Sequence, residues 1–270
     1  MLAPPYNPLP KTEIQFDDTS GPMNILIACG PFTLSEDLDF APLEALVQQI
    51  NQMEPHVVIF LGPFLDTKNR KVESGELGRT YEEEFDDLVE KLAAHIDSSV
   101  QMILVPSWRD CHHHPVYPTS PYQFKRNISN IRSVSDPCIL NISGCVIALT
   151  STDILFHLGK EEIAVAPAGS DRLARLSSHL LNQQCFYPLY PPAEDMSIDF
   201  EHWDTYCRLP LTPHLLVIPS DLRYFIKNIE GCTVVNPERL AKGTSGGTFS
   251  RLQVKNQGNS VTIEAEIVRI

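Results

Sequence analysis

At 270 residues, 43% apolar and 20% charged, the chain suffices for one large domain or two small ones and can bury an ordinary core, which excludes disorder throughout. A net charge of −13, from 34 acidic against 21 Lys and Arg residues, argues against gripping nucleic acid as the main task, because phosphate contacts need clustered cations; proteins or basic partners are the more natural expectation. No apolar run approaches the ~20 residues that span a bilayer, the start Met-Leu-Ala-Pro-Pro-Tyr-Asn-Pro lacks the basic and apolar regions of a signal peptide, and seven scattered cysteines without a CxxC pair support neither a disulfide framework nor a cysteine zinc module, so an intracellular protein is expected.

Residues 1–22 hold five of the 22 prolines and no periodicity, and they read as an arm or linker that is ordered only if docked elsewhere. Met23–Cys29 is a short apolar run stopped by Gly30-Pro31, as expected of a buried strand. Leu43, Leu46, Val47 and Ile50 follow with helical spacing, and His56–Leu61 is a second buried strand, stopped by Gly62-Pro63. Thr80-Tyr81-Glu82-Glu83 matches a capping box, after which Phe85, Leu88, Val89, Leu92 and Ile96 form one apolar face. Glu82, Glu83, Glu84, Asp86 and Asp87 suit a solvated first turn that favours the helix dipole. Val100–Val105 is a third buried strand, and the β-α-β-α-β order predicts a parallel sheet with right-handed crossovers.

The second half changes character. Cys138–Ile142 and Cys145–Thr150 flank Ser143-Gly144, a hairpin signal. Ser170 is the candidate cap of a helix carrying Leu173, Leu176, Leu180 and Leu181 inward. Residues 186–192 form a rigid aromatic–proline loop, Leu215–Ile218 and Cys232–Val235 are further strands, and Gly247–Val254 with Val261–Val268 make a terminal antiparallel pair. The expectation is one α/β domain over 23–270, with two sheets, flanking helices and a mixed C-terminal half.

Function in open α/β sheets sits past the carboxyl ends of the strands. Neither a GxxxxGK[ST] nor a GxGxxG loop is present, and no GxSxG elbow, so nucleotide-phosphate binding and serine hydrolysis are unsupported. The strand ends are spaced like those of the calcineurin-like metallophosphoesterases, whose D-x-H, G-D-x-x-D, G-N-H-[D/E], a further His and G-H-x-H surround two cations. A two-metal site needs such carboxylate and imidazole ligands. Set against those motifs, Gly30 and Phe32 stand for the Asp and His of D-x-H. Pro63 replaces the bridging Asp of G-D, and Asp66 survives. Trp108 and Arg109 replace the Asn and His of the third motif, with Asp110 following. Cys185 falls near the further His, and Ser220 and Leu222 replace both His of the last motif. Pro and Phe cannot ligate a metal, and Arg109 puts a fixed positive charge where cations would sit, so neither catalysis nor a metal cofactor is expected.

The blocks I-A-C-G-P-F, F-L-G-P-F-L-D, V-P-S-W-R-D-x-H-H-x-P-V-Y-P, L-T-S-T-D-I-L-F-H-L-G, Y-P-L-Y-P-P-x-E-D-M, I-P-S-D-L-R-Y-F and G-G-T-F-x-R-L stand in order from about residue 23 to the end. In these the chain resembles the B-subunit family of eukaryotic DNA polymerase alpha. The resemblance implies an inactivated calcineurin-like phosphoesterase sandwich in the nucleus, without a cofactor. It implies a scaffold binding the zinc-bearing C-terminal domain of the polymerase catalytic subunit, with primase met indirectly and DNA at most indirectly. Members of that family carry a helical domain, a linker and an OB domain ahead of the phosphoesterase domain. Only the Pro-rich arm precedes Met23 here, as in a fragment, a short isoform or an incomplete gene model of such a protein, three alternatives that the sequence leaves open.

Several residues invite sharper readings. His112-His113-His114 suggests zinc, but adjacent side chains diverge, and the simpler expectation is a loop with one His packed by hydrogen bonds and the others solvated. Arg109 and Asp110 are expected to form hydrogen bonds or an ion pair that closes the relic pocket, and Asp66 to be a residual ligand or a partner for loop amides. His157, among Ile154, Leu155, Phe156 and Leu158, reads as a structural histidine, and Asp153 as a cap or turn residue. Tyr187 and Tyr190 suggest base stacking, but Glu194-Asp195 follows them, and a protein contact or internal cover is favoured. Arg223-Tyr224-Phe225-Ile226-Lys227 has too few charges for a DNA site. Two other classes remain open: a divergent phosphodiesterase using Asp66, Asp110 and the histidine run, and a nucleic-acid-binding module.

Overall fold

The computed structural model describes residues 12–14, 21–75, 77–163, 169–257 and 260–270. In chain order the elements are β1 (Thr12–Ile14), β2 (Met23–Cys29), α1 (Ala41–Met53), β3 (Val57–Leu61), α2 (Arg70–Ser74), α3 (Tyr81–His95), β4 (Gln101–Val105), β5 (Ile131–Ser133), β6 (Cys138–Ile142) and β7 (Cys145–Leu149). Then come α4 (Ile154–Lys160), α5 (Arg172–Asn182), α6 (Phe200–Tyr206), β8 (Leu215–Val217), β9 (Phe225–Ile229), β10 (Cys232–Asn236), the two-residue pieces β11 (Ala241–Lys242) and β12 (Ser245–Gly246), β13 (Thr248–Gln257) and β14 (Ser260–Arg269).

Two six-stranded sheets result. The first runs β14-β13-β2-β3-β4-β5, parallel from β2 to β5, with β13 antiparallel to β2 and β14 antiparallel to β13. The second runs β1-β6-β7-β8-β10-β9 and mixes both senses. Alternation along each strand decides which layer a residue joins. Ile25, Ile27, Val57, Ile59, Ile103 and Val105 of the first sheet meet Leu140, Ile142, Ile147, Leu149, Leu215 and Val217 of the second in a shared core. The opposite faces bury against helices. Leu26, Val58, Phe60 and Leu104 pack on Leu43, Leu46 and Ile50 of α1 and on Phe85, Leu88 and Leu92 of α3. Ile139, Ala148, Leu216 and Val234 pack on Leu155 of α4 and on Leu176 and Leu180 of α5. The layers are helix, sheet, sheet, helix, the mixed α/β sandwich expected.

Local signals are used as the residues dictate. Thr80 accepts from the Glu83 amide while the Glu83 side chain accepts from the Thr80 amide, so both halves of the capping box form. The acids of that cluster are not merely solvated: Arg79 pairs with Glu84 and Asp87, and Lys125 with Asp86. Ser143 and Gly144 both take positive φ (44° and 86°) in the β6–β7 hairpin, the geometry of a mirror-image turn. The cap of α5 is Asp171, accepting from the Ala174 amide at 3.1 Å, and not Ser170. Thr12–Ile14, inside the proline-rich arm, docks as β1 on β6. Residues 1–11 and 15–20 of that arm lie outside the described residues.

Candidate functional site at the strand ends

The parallel strands β2, β3 and β4 deliver Gly30, Gly62 and Ser107 to one end of the first sheet. The chain is very close-packed there. A Cβ on Gly30 would lie 1.9 Å from the Pro63 carbonyl oxygen, and one on Gly62 would lie 2.7 Å from Asp110 Oδ2. Both positions therefore require glycine for approach.

Asp110 is fully buried, and its carboxylate is saturated from within. Oδ1 accepts from the amides of Phe64 (2.6 Å) and Leu65 (3.1 Å); Oδ2 accepts from the Ser107 amide (2.9 Å) and from the Tyr122 hydroxyl. Burial pushes its pKa up to about 6, and those four donors, Tyr122 foremost, restrain the rise. Asp66 is 4% exposed and takes a two-pronged pair from Arg109, through Nε at 3.1 Å and Nη2, while Oδ1 also accepts from the Lys68 amide at 3.0 Å. Asp66 and Asp110 also face each other as a backbone bridge. These two carboxylates thus hold loops together; the ion pair joins Arg109 to Asp66, and Asp110 serves the amides.

Phe32 points into an aromatic cluster, stacked on Phe64 with centroids 4.8 Å apart and edge-on to Phe60 at 5.9 Å. Trp108 is half-buried against the outer core of the second sheet. The Ser220 amide donates to Asn236 Oδ1 (2.9 Å), and Asn236 Nδ2 donates to the Leu222 carbonyl (3.0 Å), so one asparagine pins the whole loop. Cys185 follows α5 and pairs its backbone with Leu180 and Arg208; burial raises its thiol pKa. Its partners come from the helical layer and not from the strand ends.

The sequence reading missed the residue that fills the centre. Arg239 follows β10 and is 3% exposed. Its Nε donates to Asp221 Oδ1 at 2.9 Å, Nη1 contacts Cys29 Sγ at 3.0 Å and the Gly30 carbonyl at 3.4 Å, and Nη2 reaches Asp153 Oδ2 at 3.4 Å. It therefore joins the end of β2 to the N-cap of α4 and to the 220–222 loop. Burial opposes its charge, but the neighbouring Cys29, Asp153 and Asp221 outweigh burial and keep it protonated. Asp221 is likewise held low, burial acting against the charge and Arg239 overcoming it. Burial pushes the Cys29 thiol up to about 11. Nothing in Asn236-Pro237-Glu238-Arg239 announces this role; only the meeting of the two sheets creates it.

These residues do not fit a two-metal centre. The chemistry of the donor set is wrong: both carboxylates are consumed by internal donors, and a fixed cation occupies the ground between β2 and the 220–222 loop. Among the described residues no cluster of three or more His, Cys, Asp and Glu is arranged to hold a metal ion. The histidine run diverges as expected, with one correction. Half-buried His112 is held by stacking on Phe85 (4.0 Å) and Tyr122 (5.3 Å), with both ring nitrogens buried and unpartnered, while His113 Nε2 contacts the Ser120 carbonyl at 2.8 Å. Burial, reinforced by His113, lowers the His112 pKa to about 3. His157 is buried, with Nδ1 3.1 Å from the Tyr187 hydroxyl. That hydroxyl also accepts from the Ala193 amide and Tyr187 is fully buried, so it is an internal cover and not a base-stacking surface. Asp153 caps α4 through the Phe156 amide, as expected. Phe225–Ile229 is the edge strand β9, and its Lys227 pairs with Asp171.

Residues 25–227 match the family model for the B subunit of DNA polymerases alpha and epsilon. The chain is 43% identical over 259 residues to the DNA polymerase alpha B subunit of Rattus norvegicus, covering 91% of this chain and 43% of the rat protein. It is 37% identical over 246 residues to the Drosophila melanogaster protein of that name, covering 91% of this chain and 39% of the other. The chain thus spans less than half the length of these relatives. Among solved structures, an archaeal phosphodiesterase aligns at TM-score 0.45 and 10% identity, over 91% of this chain and 100% of that one.

Proposed function

The chain belongs to the B-subunit family of DNA polymerases alpha and epsilon, and from that membership we propose that it is a non-catalytic accessory component of DNA polymerase alpha–primase, its regulatory B subunit, serving initiation of DNA replication in the nucleus. Residues 23–270 act as an inactivated phosphoesterase-like domain behind the arm 1–22, and Gly30, Phe32, Pro63, Asp66, Trp108, Arg109, Asp110, Cys185, Ser220 and Leu222 mark its former site. The partner is the zinc-bearing C-terminal domain of the polymerase catalytic subunit; primase is met through it, DNA at most indirectly, and membranes not at all.

The observation that carries the non-catalytic reading is Arg239. A buried, permanently charged guanidinium tied to Cys29, Asp153 and Asp221 fills the place where a phosphoesterase would assemble its cations and takes up the carboxylates that could otherwise hold one. The net charge of −13 favours a protein or basic partner over a phosphate backbone. Co-purification with the C-terminal domain of the catalytic subunit tests the scaffold role, and a well-folded sample that fails to bind it sinks that role. Stoichiometric manganese, iron or zinc, together with phosphodiester turnover lost in both Asp110→Ala and Asp66→Asn, would overturn the non-catalytic reading.

A further inference from the structure

Strand β14 is an edge of the first sheet: it pairs with β13 over all ten of its residues and, among the described residues, with no strand on its other side. The Ile270 amide continues that ladder, donating to the Gly247 carbonyl at 3.0 Å. Amides alternate in direction along a strand, so those of Val261, Ile263, Ala265 and Ile267 point away from β13, into the open edge. At ~3.4 Å per residue this row of donors and carbonyls is about 34 Å long.

Edges of such length are ordinarily blunted by proline, lysine, a bulge or an inward-pointing charge. β14 reads Ser-Val-Thr-Ile-Glu-Ala-Glu-Ile-Val-Arg, without proline, glycine or lysine, and it meets β13 residue for residue. On its inner face Val261, Ile263, Ala265 and Ile267 pack against the core shared by the two sheets yet stay only partly buried, so that core is open along β14. The edge strand β9 of the second sheet comes near without pairing. An added strand would cover these apolar side chains and satisfy the outward amides.

The outer face decides which strand fits. Arg251 pairs with Glu266, and Lys255 with Glu264 at 2.8 Å, so each cation of β13 is followed by a carboxylate of β14; the Glu266 and Glu264 side chains remain 49% and 60% exposed. A second copy meets these acids badly. A two-fold antiparallel pair overlapping over 260–268 centres on Glu264 and sets it against its own copy. One overlapping over 261–269 centres on Ala265 and sets Glu264 against Glu266 of the second copy. Like charges directly opposite destabilise a sheet, whereas a cation there adds the next rung to both rows. We propose that the β14 edge takes an extended segment of a partner protein, alternately apolar and basic, as an added strand.

The test titrates the full chain with a fluorescent peptide, acetyl-Val-Lys-Val-Lys-Val-Arg-Val-amide, and with its counterpart in which Glu replaces each cation. The basic peptide is expected to bind, and the acidic one about tenfold more weakly. Ala265→Pro removes one outward amide, breaks no bond of the β13 ladder and changes no charge; it should weaken the basic peptide about tenfold. Glu264→Lys combined with Glu266→Lys should exchange the preference, the acidic peptide becoming the tighter ligand. Thermal melting confirms that each variant is folded, and the double reversal decides the matter should the proline variant not fold. The proposal is overturned if the basic peptide does not bind, if folded Ala265→Pro binds it as well as the parent chain, or if the double reversal leaves the preference unchanged. A doubled sedimentation mass that Ala265→Pro abolishes would give the edge to a second copy, also against the proposal.

Discussion

Arg239 is a single cation with three anionic or polarisable neighbours and almost no contact with water. Removing it leaves Asp153, itself 10% exposed, with only the Phe156 and Asp221 amides as donors and no counter-charge, and a buried charge without its counter-charge is costly. Arg239→Met, which keeps much of the volume, is expected to lower unfolding free energy by about 3 kcal/mol in urea titrations; a loss below about 1 kcal/mol would show that the guanidinium is not the tie. Asp110 makes a pH prediction of opposite sense to a surface acid. Its pKa is raised from 3.8 to about 6 in the fold, so the folded state holds the proton more strongly. That contribution is fully present below pH 3.8 and is lost as pH rises through 6, about 3 kcal/mol in all. Melting followed from acid to neutral pH should show Asp110→Asn with a flatter slope in this window and a lower stability, since its amide would confront the Ser107, Phe64, Leu65 or Tyr122 donors. An unchanged slope would refute the assignment.

At the scale of elements, the ends of β2 and β3 are built on close approach. Gly30→Ala drives a Cβ into the Pro63 backbone and should cost about 3 kcal/mol, whereas Gly78→Ala, which meets nothing within 4 Å and has no positive φ, should be within about 0.5 kcal/mol of neutral. Denaturant midpoints of the two variants check this directly, and equal effects would contradict it. The strands themselves were legible because apolar runs ended by Gly-Pro leave little choice of structure, and Thr80–Glu83 announced its helix through capping chemistry. The shorter pieces were not. Helix α6 buries none of its seven residues fully, so no apolar stripe marks it, and β9 alternates its burial over only five residues. Ser170 and Asp171 are both good caps; only the Ala174 amide, positioned by the helix, chooses between them.

For the molecule as a whole, two sheets close on each other and each takes a layer of helices on its far face, so the strand ends lie where Arg239 from one sheet meets Cys29 and Gly30 from the other. If no ion belongs there, chelation has nothing to remove. The melting midpoint is expected to be the same with and without excess EDTA, because an ion bound only to the folded state would add about 2.7 kcal/mol at a hundred times its dissociation constant. A fall of several degrees reversed by manganese would refute this. Among the described residues no helix is long and apolar enough to cross a membrane.

The order of strands and helices, the two sheets, and the scarcity of imidazoles and carboxylates in the turns that end β2 and β3 are properties of residue type and spacing, and they follow from the chain before it folds. The use made of what survives is not local. Asp66 takes a guanidinium 43 positions away, Asp110 takes amides 45 and 46 positions back, and Arg239 reaches Cys29 across 210 positions. Such partners are chosen by the packing of the two sheets, since a buried charge is stable only where the fold brings it a counter-charge or donors, and no pattern within a few residues encodes that distance.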